Sequence, residues 1–204
     1  MKKRFQYFYA PNHTLLCEAR NRAIEKTNGE YIAFLDVDDW WMPDKLEKQM
    51  PLFDDNTVGL VYGNCWIFKE KLKKKNIYSR YKLPTGSVLN EILKVRKVGL
   101  VTIVVRKKYL ENLSYPFDSR FHVIGDFDLG VRMAIYWKFE CVQEPIAFYR
   151  LHESNQFLYT KEREIKELET WYIEAQSNPN ISKCKNLRRI LDGINYIKSL
   201  QNLK

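Results

Sequence analysis

Three carboxylates directly follow a short apolar run. Residues 31–35 read Tyr-Ile-Ala-Phe-Leu, and Asp36, Asp38 and Asp39 come next. The run predicts a buried strand, and carboxylates at the end of such a strand need a compensating charge. Mg²⁺ and Mn²⁺ prefer oxygen ligands and commonly bridge to substrate phosphates, and the spacing puts Asp36 and Asp38 on one side of an extended backbone. The pattern therefore predicts a divalent-metal site that handles a phosphorylated substrate.

A second interpretation of the same residues needs no metal. Pro43 suits the first turn of a helix, predicted to run from about residue 43 to 53, and Asp39 or Asp44 would then cap that helix. The remaining carboxylates would be solvated loop residues. The cluster alone does not separate the two interpretations.

The elements that must position the cluster alternate along the chain. Hydrophobic periodicity and turn residues predict strands and helices in turn. The predicted strands are 5–9, 31–35, 58–68, 100–105, 139–143 and 146–149. The predicted helices are 14–26, 43–53, 87–94, 107–112 and 126–137, with further helix in 157–204. Alternation of this kind predicts an α/β/α sandwich around a mostly parallel mixed sheet.

Four motifs occur in a characteristic order. Residues 18–24 read E-A-R-N-R-A-I, residues 29–39 read G-E-Y-I-A-F-L-D-V-D-D, residues 125–129 read G-D-F-D-L and residues 149–155 read Y-R-L-H-E-S-N. Together they resemble the inverting nucleotide-sugar glycosyltransferases of family 2, which have the GT-A fold. The resemblance covers roughly residues 5–156 and implies a partial GT-A domain over 1–156, followed by a helical extension over 157–204.

The resemblance implies a role for each polar residue in the motifs. Asp38 matches the metal-binding aspartate, and Asp36 would support the ion through water or contact the donor ribose. Arg20 would pair with the diphosphate or with the base-sugar end of the donor, since a guanidinium binds phosphate bidentately. His152 would complete the metal shell or touch the leaving phosphate. Asp126 would be the catalytic base that takes the proton of the acceptor hydroxyl.

Several of these residues have structural alternatives. Asp126 could instead cap a helix, Arg20 could be a surface residue, and His152 could be a hydrogen-bonded structural histidine. Asp128 is a fallback base or acceptor contact, although it more often serves its helix. For Trp40 and Trp41, one is expected to stack on a sugar and the other to lie in the core. The family usually has Glu-Asp where this chain has Gly125-Asp126.

The start of the chain departs from the family pattern. Residues 1–12 contain no counterpart of the opening V-S-V-I-I-P-x-Y-N strand or of the acidic D-D-G-S turn that grip the nucleotide. The resemblance therefore implies that about one β-α-β unit is missing, either because the chain is a fragment, because another chain supplies the unit, or because the protein is an inactive relative. An exposed sheet flank would favour association of two copies of the chain.

Composition limits the class of protein. The 204 residues, 45% of them hydrophobic, fit one folded core, and no apolar stretch approaches the roughly 20 residues of a membrane-spanning helix. The four cysteines are scattered without a C-x-x-C pair, which favours reduced thiols in a cytoplasmic protein over disulfides or a zinc site.

Positive charge is concentrated in one segment. Residues 69–82 hold seven basic residues and one acidic residue, a net charge of +6 within a chain of net charge +9. The segment is either a solvated, mobile loop or a contact for an anionic partner such as a diphosphate, an anionic glycan or lipid headgroups. The usual nucleic-acid-binding motifs are missing from the sequence, so no nucleic-acid partner is expected.

The sequence as a whole predicts a glycosyltransferase dependent on Mg²⁺ or Mn²⁺. It would move a sugar from a nucleotide-sugar, a UDP-sugar by resemblance, to a hydroxyl of a glycan or lipid-linked glycan with inversion. The basic segment and the amphipathic C-terminal helix suggest peripheral contact with the inner face of the membrane. The alternative is a truncated, catalytically inactive binding or assembly module.

Overall fold

The protein is described from a computed structural model, which defines residues 5–10, 12, 14–95, 98–153 and 161–201. The strands are β1 (Tyr31–Ala33), β2 (Trp40–Trp41), β3 (Val58–Lys69), β4 (Lys74–Ile77), β5 (Val104–Arg106) and β6 (Lys138–Leu151). The helices are α1 (Leu16–Glu25), α2 (Lys45–Gln49), α3 (Leu89–Val95), α4 (Lys107–Glu111), α5 (Gly125–Tyr136), α6 (Lys161–Ser177) and α7 (Arg188–Gln201). Short 3₁₀ turns cover Met50–Phe53, Glu70–Leu72 and Leu100–Thr102.

One mixed sheet organises the described residues. Its strand order is β1-β5-β3-β6-β2, and β4 adds to the far part of β3 as a hairpin. The mixed α/β fold is confirmed, but the prediction of a mostly parallel sheet is wrong. Among the strand pairs that the structure describes, only β3 and β6 run parallel. Alternation of strands and helices predicts parallel neighbours only when consecutive strands lie side by side, whereas β1 pairs with the distant β5.

Three other predicted elements differ from the structure. Residues 5–9 form no strand, and their aromatic rings are exposed. The apolar run 100–105 begins with a 3₁₀ turn, closed by bonds from the Thr102 N–H and hydroxyl to the Gly99 carbonyl at 2.9 and 2.7 Å. An apolar run indicates that a segment is buried but not that it is a strand. Residues Leu100–Thr102 are buried, as expected, but they form a turn. The two strands predicted between 139 and 149 are one irregular strand with register shifts.

The main core lies between the sheet and the helices α3, α5, α6 and α7. Buried side chains of α6 and α7, among them Leu168, Trp171 and Ile190, belong to the same hydrophobic cluster as Leu60 and Val105 of the sheet. The described part of the C-terminal segment therefore packs onto the sheet domain and shares its core. The predicted boundary between residues 156 and 157 lies outside the described residues.

Lys45 on α2 is buried without a hydrogen-bond partner for its ammonium group among the described residues. Its Nζ lies 4.4 Å from the centre of the Trp41 ring, and burial lowers the pKa of Lys45 to about 7. Charging this amine in the folded protein is therefore costly, because burial removes the water around the cation and the ring face replaces only part of that stabilisation.

We expect Lys45→Met to stabilise the protein at pH 7 by about 1–3 kcal/mol, because it keeps the packing and removes the buried amine. The unfolded chain holds its proton up to about pH 10 while the folded chain loses it near 7, so wild-type stability rises with pH between these values. The advantage of the variant should thus shrink by about 2 kcal/mol between pH 7 and pH 9. Urea unfolding at both pH values measures this, with Lys166→Met, at an exposed lysine, as the control. An advantage independent of pH would contradict the account.

Candidate active site

Arg20 and Asp36 form an ion pair at the edge of the sheet. Arg20 lies on α1, and Asp36 lies in the loop that leaves β1. One guanidinium nitrogen of Arg20 donates to both carboxylate oxygens of Asp36, at 3.0 Å each. The Arg20 side chain is only 14% exposed, and its guanidinium also lies 5.5 Å from the centre of the Phe117 ring. The pair therefore holds α1 against the acidic loop, and Arg20 is not a freely solvated surface residue.

Asp38 and His152 meet although 114 residues separate them in sequence. The Nε2 atom of His152 lies 2.9 Å from Oδ2 of Asp38, and the two side chains are 23% and 29% exposed. The antiparallel pairing of β2 with β6 brings the two loops together, with Trp40 opposite Phe148. An imidazole nitrogen and a carboxylate oxygen thus lie side by side on two partly exposed side chains.

Asp39 connects the acidic loop to the end of β6, a role that the sequence did not reveal. Its Oδ1 accepts the Arg150 N–H at 2.8 Å, which ties the acidic loop to the end of β6. Burial, helped by the charges of Asp38 and Asp36, raises the pKa of Asp39 to about 6, although the Arg150 N–H and His152 oppose the rise. The three aspartates therefore do not share one environment, and Asp39 serves the backbone of the site.

Asp126 opens α5 on the same side of the protein as the ion pair. Its Oδ1 accepts the N–H of Phe127 at 2.8 Å. Burial raises the pKa of Asp126, opposed by the Phe127 N–H and by the Arg20 charge, and Asp36 adds a smaller upward shift. The carboxyl is thus electrostatically coupled to both members of the ion pair, and a raised pKa suits a group that must accept a proton.

The departure from the family at Gly125 has a packing reason. A Cβ at this position would lie 2.6 Å from the Sγ of Cys17, which is fully buried on α1. The Cys17 Sγ contacts the Phe121 carbonyl at 2.7 Å, so it is fixed in place. The close approach of α1 and α5 therefore excludes any side chain immediately before Asp126.

We expect Gly125→Ala to destabilise the protein by about 1–3 kcal/mol, because the added methyl overpacks the α1–α5 contact. The loss of stability caused by Gly125→Ala should be smaller in a Cys17→Ala background. There the thiol no longer obstructs the added methyl, and alanine at position 125 favours helix α5 over glycine. Unfolding free energies of the wild type, both single variants and the double variant give the coupling between the two positions. Equal cost of Gly125→Ala in both backgrounds would show that Cys17 is not the obstacle.

Glu167 of α6 fixes the loop before Asp126, a role that the sequence motifs do not indicate. Its carboxylate is buried and accepts three consecutive backbone N–H groups, those of residues 122, 123 and 124, at 2.9, 2.8 and 3.2 Å. Arg163 donates to the same carboxylate at 2.8 Å. An acidic residue on an amphipathic helix carries no sequence signal for such a role.

The remaining predicted site residues separate into buried and exposed groups. Both oxygens of Asp128 are engaged, by Arg132 at 2.7 Å and by the Trp171 indole N–H at 3.1 Å, which favours its structural alternative. Trp41 donates its indole N–H to the Val101 carbonyl at 3.0 Å. Trp40 is 39% exposed and stacks on Phe148 with ring centres 4.7 Å apart. Trp40 is therefore the tryptophan available to a ligand.

A divalent cation bound to Asp38 and His152 would need further ligand atoms from water and from a substrate. Among the described residues no group of three or more histidine, cysteine, aspartate or glutamate side chains could hold a metal ion. Mg²⁺ and Mn²⁺ nevertheless often bind through one or two protein ligands, with water and substrate phosphates completing the shell. Two adjacent, partly exposed ligand atoms meet that requirement. Ser154 and Asn155, which end the fourth motif, lie outside the described residues.

Comparison with known proteins identifies the family. Residues 1–135 match the family model described as "Glycosyl transferase family 2". The chain belongs to glycosyltransferase family 2. This confirms the resemblance drawn from the four motifs. No helix in the described part of this family member combines the length and apolar character needed to cross a membrane.

Individual relatives agree with this assignment. The chain is 34% identical over 99 residues to the Escherichia coli enzyme WfgD, a UDP-Glc:alpha-D-GlcNAc-diphosphoundecaprenol beta-1,3-glucosyltransferase, over 48% of this chain and 38% of WfgD. The fold is similar to that of S. aureus TarS 1–349 in complex with UDP-GlcNAc, with a TM-score of 0.61 at 14% identity over 84% of this chain and 50% of that 1–349 chain.

A third relative was solved with a metal ion. The mannosyltransferase PcManGT from Pyrobaculum calidifontis, in complex with GDP-Man and Mn²⁺, gives a TM-score of 0.53 at 16% identity, over 87% of this chain and 47% of that one. Its likeness, like that of TarS, establishes the GT-A fold. The chain spans half or less of the length of these three proteins.

Proposed function

We propose that this protein transfers a sugar from a UDP-sugar to a hydroxyl of a lipid-linked glycan, with inversion at the anomeric carbon. The observation that carries the proposal is the convergence of Arg20, Asp36, Asp38, His152 and Asp126 from four separate chain segments. The names of WfgD and TarS support a UDP-sugar as donor, and the name of WfgD supports an acceptor with a lipid diphosphate.

Asp38 and His152 would hold a Mg²⁺ or Mn²⁺ ion together with the donor diphosphate. When bound, such an ion offsets the negative charge that develops on the leaving diphosphate. Arg20 is ion-paired with Asp36, two residues before Asp38, and would contribute a positive charge there, while Asp36 keeps the guanidinium oriented. The exposed face of Trp40 is available to stack against a sugar ring.

Asp126 would act as the base. Its carboxylate takes the proton from the acceptor hydroxyl as that oxygen bonds to the anomeric carbon, and the bond from that carbon to the diphosphate oxygen breaks on the opposite face. The raised pKa of Asp126 makes the carboxylate a better proton acceptor than an ordinary aspartate. With a lipid-linked acceptor, the reaction would take place at the inner face of the membrane.

The test is turnover with a panel of UDP-sugars and a synthetic acceptor that carries GlcNAc α-linked to a lipid diphosphate. Release of UDP that requires both acceptor and Mn²⁺ would support the proposal, and NMR of the product should show the β anomer from an α-linked donor. A folded sample that releases no UDP with any donor would contradict the proposed activity. An α-linked product would contradict inversion alone.

A further inference from the structure

A positively charged hairpin projects beside the candidate site. We call residues 69–82 the basic hairpin: it comprises the end of β3, a 3₁₀ turn, β4 and the chain that follows. The sequence predicts a loop here, but β4 pairs with β3 from Trp66↔Ile77 to Lys69↔Lys74. Its basic residues are Lys69, Lys71, Lys73, Lys74, Lys75, Arg80 and Lys82.

The charge of the basic hairpin is poorly neutralised. All residues from 69 to 76 are exposed, so both faces of the hairpin lie in solvent. Lys71 contacts Glu153 at 3.2 Å, but both side chains are about 80% exposed and such a pair is weak. The hairpin's own carboxylate, Glu70, is bonded by Arg150 outside the segment. The net charge of +6 is therefore presented to solvent.

The shape and the apolar residues of the hairpin favour a surface over a small ligand. A hairpin exposed on both faces offers no enclosure for a soluble diphosphate. At its turn Leu72 is 60% exposed, and Tyr81 near its base is 82% exposed. Lysines interleaved with an exposed leucine and tyrosine are typical of segments that lie at a membrane interface.

The basic hairpin is continuous with the candidate site through the sheet. β3 runs beside β6 with Phe68 opposite Arg150 and Lys69 opposite Leu151. The next residue, His152, contacts Asp38. Neighbouring strands lie about 4.8 Å apart, so the base of the hairpin is close to the Asp38–His152 pair. A surface that binds the hairpin therefore also lies close to that pair.

We propose that the basic hairpin docks the protein onto a membrane surface rich in anionic lipid headgroups. Docking in this way brings the Asp38–His152 pair to the lipid–water boundary. The inference goes beyond the proposed function, since docking requires neither nucleotide nor metal. Its test reads vesicle binding and not turnover, so the two proposals can fail separately.

The experiment is cosedimentation of the full chain with vesicles at low ionic strength. One set contains phosphatidylglycerol and phosphatidylcholine in equal parts, and the other contains phosphatidylcholine alone. The test variant is Lys71→Gln/Lys73→Gln/Lys74→Gln. The control, Lys166→Gln/Lys183→Gln/Lys185→Gln, removes the same charge from exposed lysines of the C-terminal part. Circular dichroism checks that both variants are folded.

We expect wild type and control to bind the anionic vesicles and not the neutral ones. The hairpin variant should bind about 100-fold more weakly, on the order of fivefold per lysine, and added salt should weaken wild-type binding. Equal loss in both triple variants would mean that only net charge matters and would overturn the proposal. Binding to neutral vesicles, no vesicle binding by wild type, or tighter binding to duplex DNA than to anionic vesicles would also overturn it.

Discussion

Replacing Asp126 with asparagine is expected to reduce the rate of sugar transfer roughly 10²–10⁴-fold while donor binding is retained. Asparagine has nearly the same shape as aspartate and can still accept the Phe127 N–H, so the start of α5 should be preserved. It cannot take a proton from the acceptor hydroxyl, and loss of a general base typically costs this factor. Single-turnover rates measured with donor in excess report the loss of sugar transfer. The affinity for UDP, measured separately, reports whether donor binding is retained.

The Asp126→Asn variant should be at least as stable as the wild type at neutral and higher pH. Burial raises the pKa of Asp126, so the folded state holds this proton to higher pH than the unfolded chain does. Stability therefore falls as pH rises from the unfolded pKa through the folded one, and the neutral amide avoids this loss. Inactivity combined with an unchanged or higher melting temperature would identify a chemical role.

The pH profile gives a further check on the same residue. The base must be ionised, so kcat/KM of the wild type should rise with pH, with its acid limb above the usual range of an aspartate. Asp192→Asn, at an exposed position on α7, is the matched control and should leave rate and profile unchanged. Retention of more than a tenth of wild-type activity by Asp126→Asn would contradict the assignment of the base.

Replacing Asp38 with asparagine is expected to lower transfer on the order of 10²–10³-fold and to remove its dependence on added Mn²⁺. The proposed ion contributes several kcal/mol of charge stabilisation, and Asp38 supplies the carboxylate that would hold it. His152→Ala removes the second proposed ligand and should weaken the response to Mn²⁺ by at least about 10–100-fold, since loss of even an outer partner of a ligand costs that much. Titrating Mn²⁺ in the transfer assay measures both variants.

The opposite outcome for these variants has a clear meaning. If Asp38→Asn keeps both its rate and its Mn²⁺ dependence, the contact between Asp38 and His152 is only a structural hydrogen bond. The Asp192→Asn variant again serves as the control, because it removes one exposed carboxylate far from the acidic loop in sequence.

The sequence predicted the parts of the fold that depend on local pattern. The acidic cluster begins three residues after the end of β1, and α5 begins at Gly125, next to the predicted base. Helical periodicity located α1 and α5 to within a few residues because one face of each is apolar. These features depend on neighbours along the chain.

The sequence did not predict the features that depend on distant partners. Strand direction follows from pairing, so β1 beside β5 could not be inferred from alternation. The contact between Asp38 and His152 depends on the β2–β6 register. Glu167 binds the loop before Asp126 only because α6 packs beside that loop. The Gly125–Cys17 approach is likewise visible only once α1 and α5 are packed.

Calorimetric titration of UDP, with and without Mn²⁺, into the wild type and Asp38→Ala tests the central claim most directly. If Asp38 and His152 form a donor site, the wild type should bind UDP in the presence of Mn²⁺, bind it much more weakly without the ion, and lose the metal-dependent part in Asp38→Ala. Metal-dependent binding of equal strength in a folded Asp38→Ala sample would contradict the claim, and so would the absence of UDP binding by folded wild type.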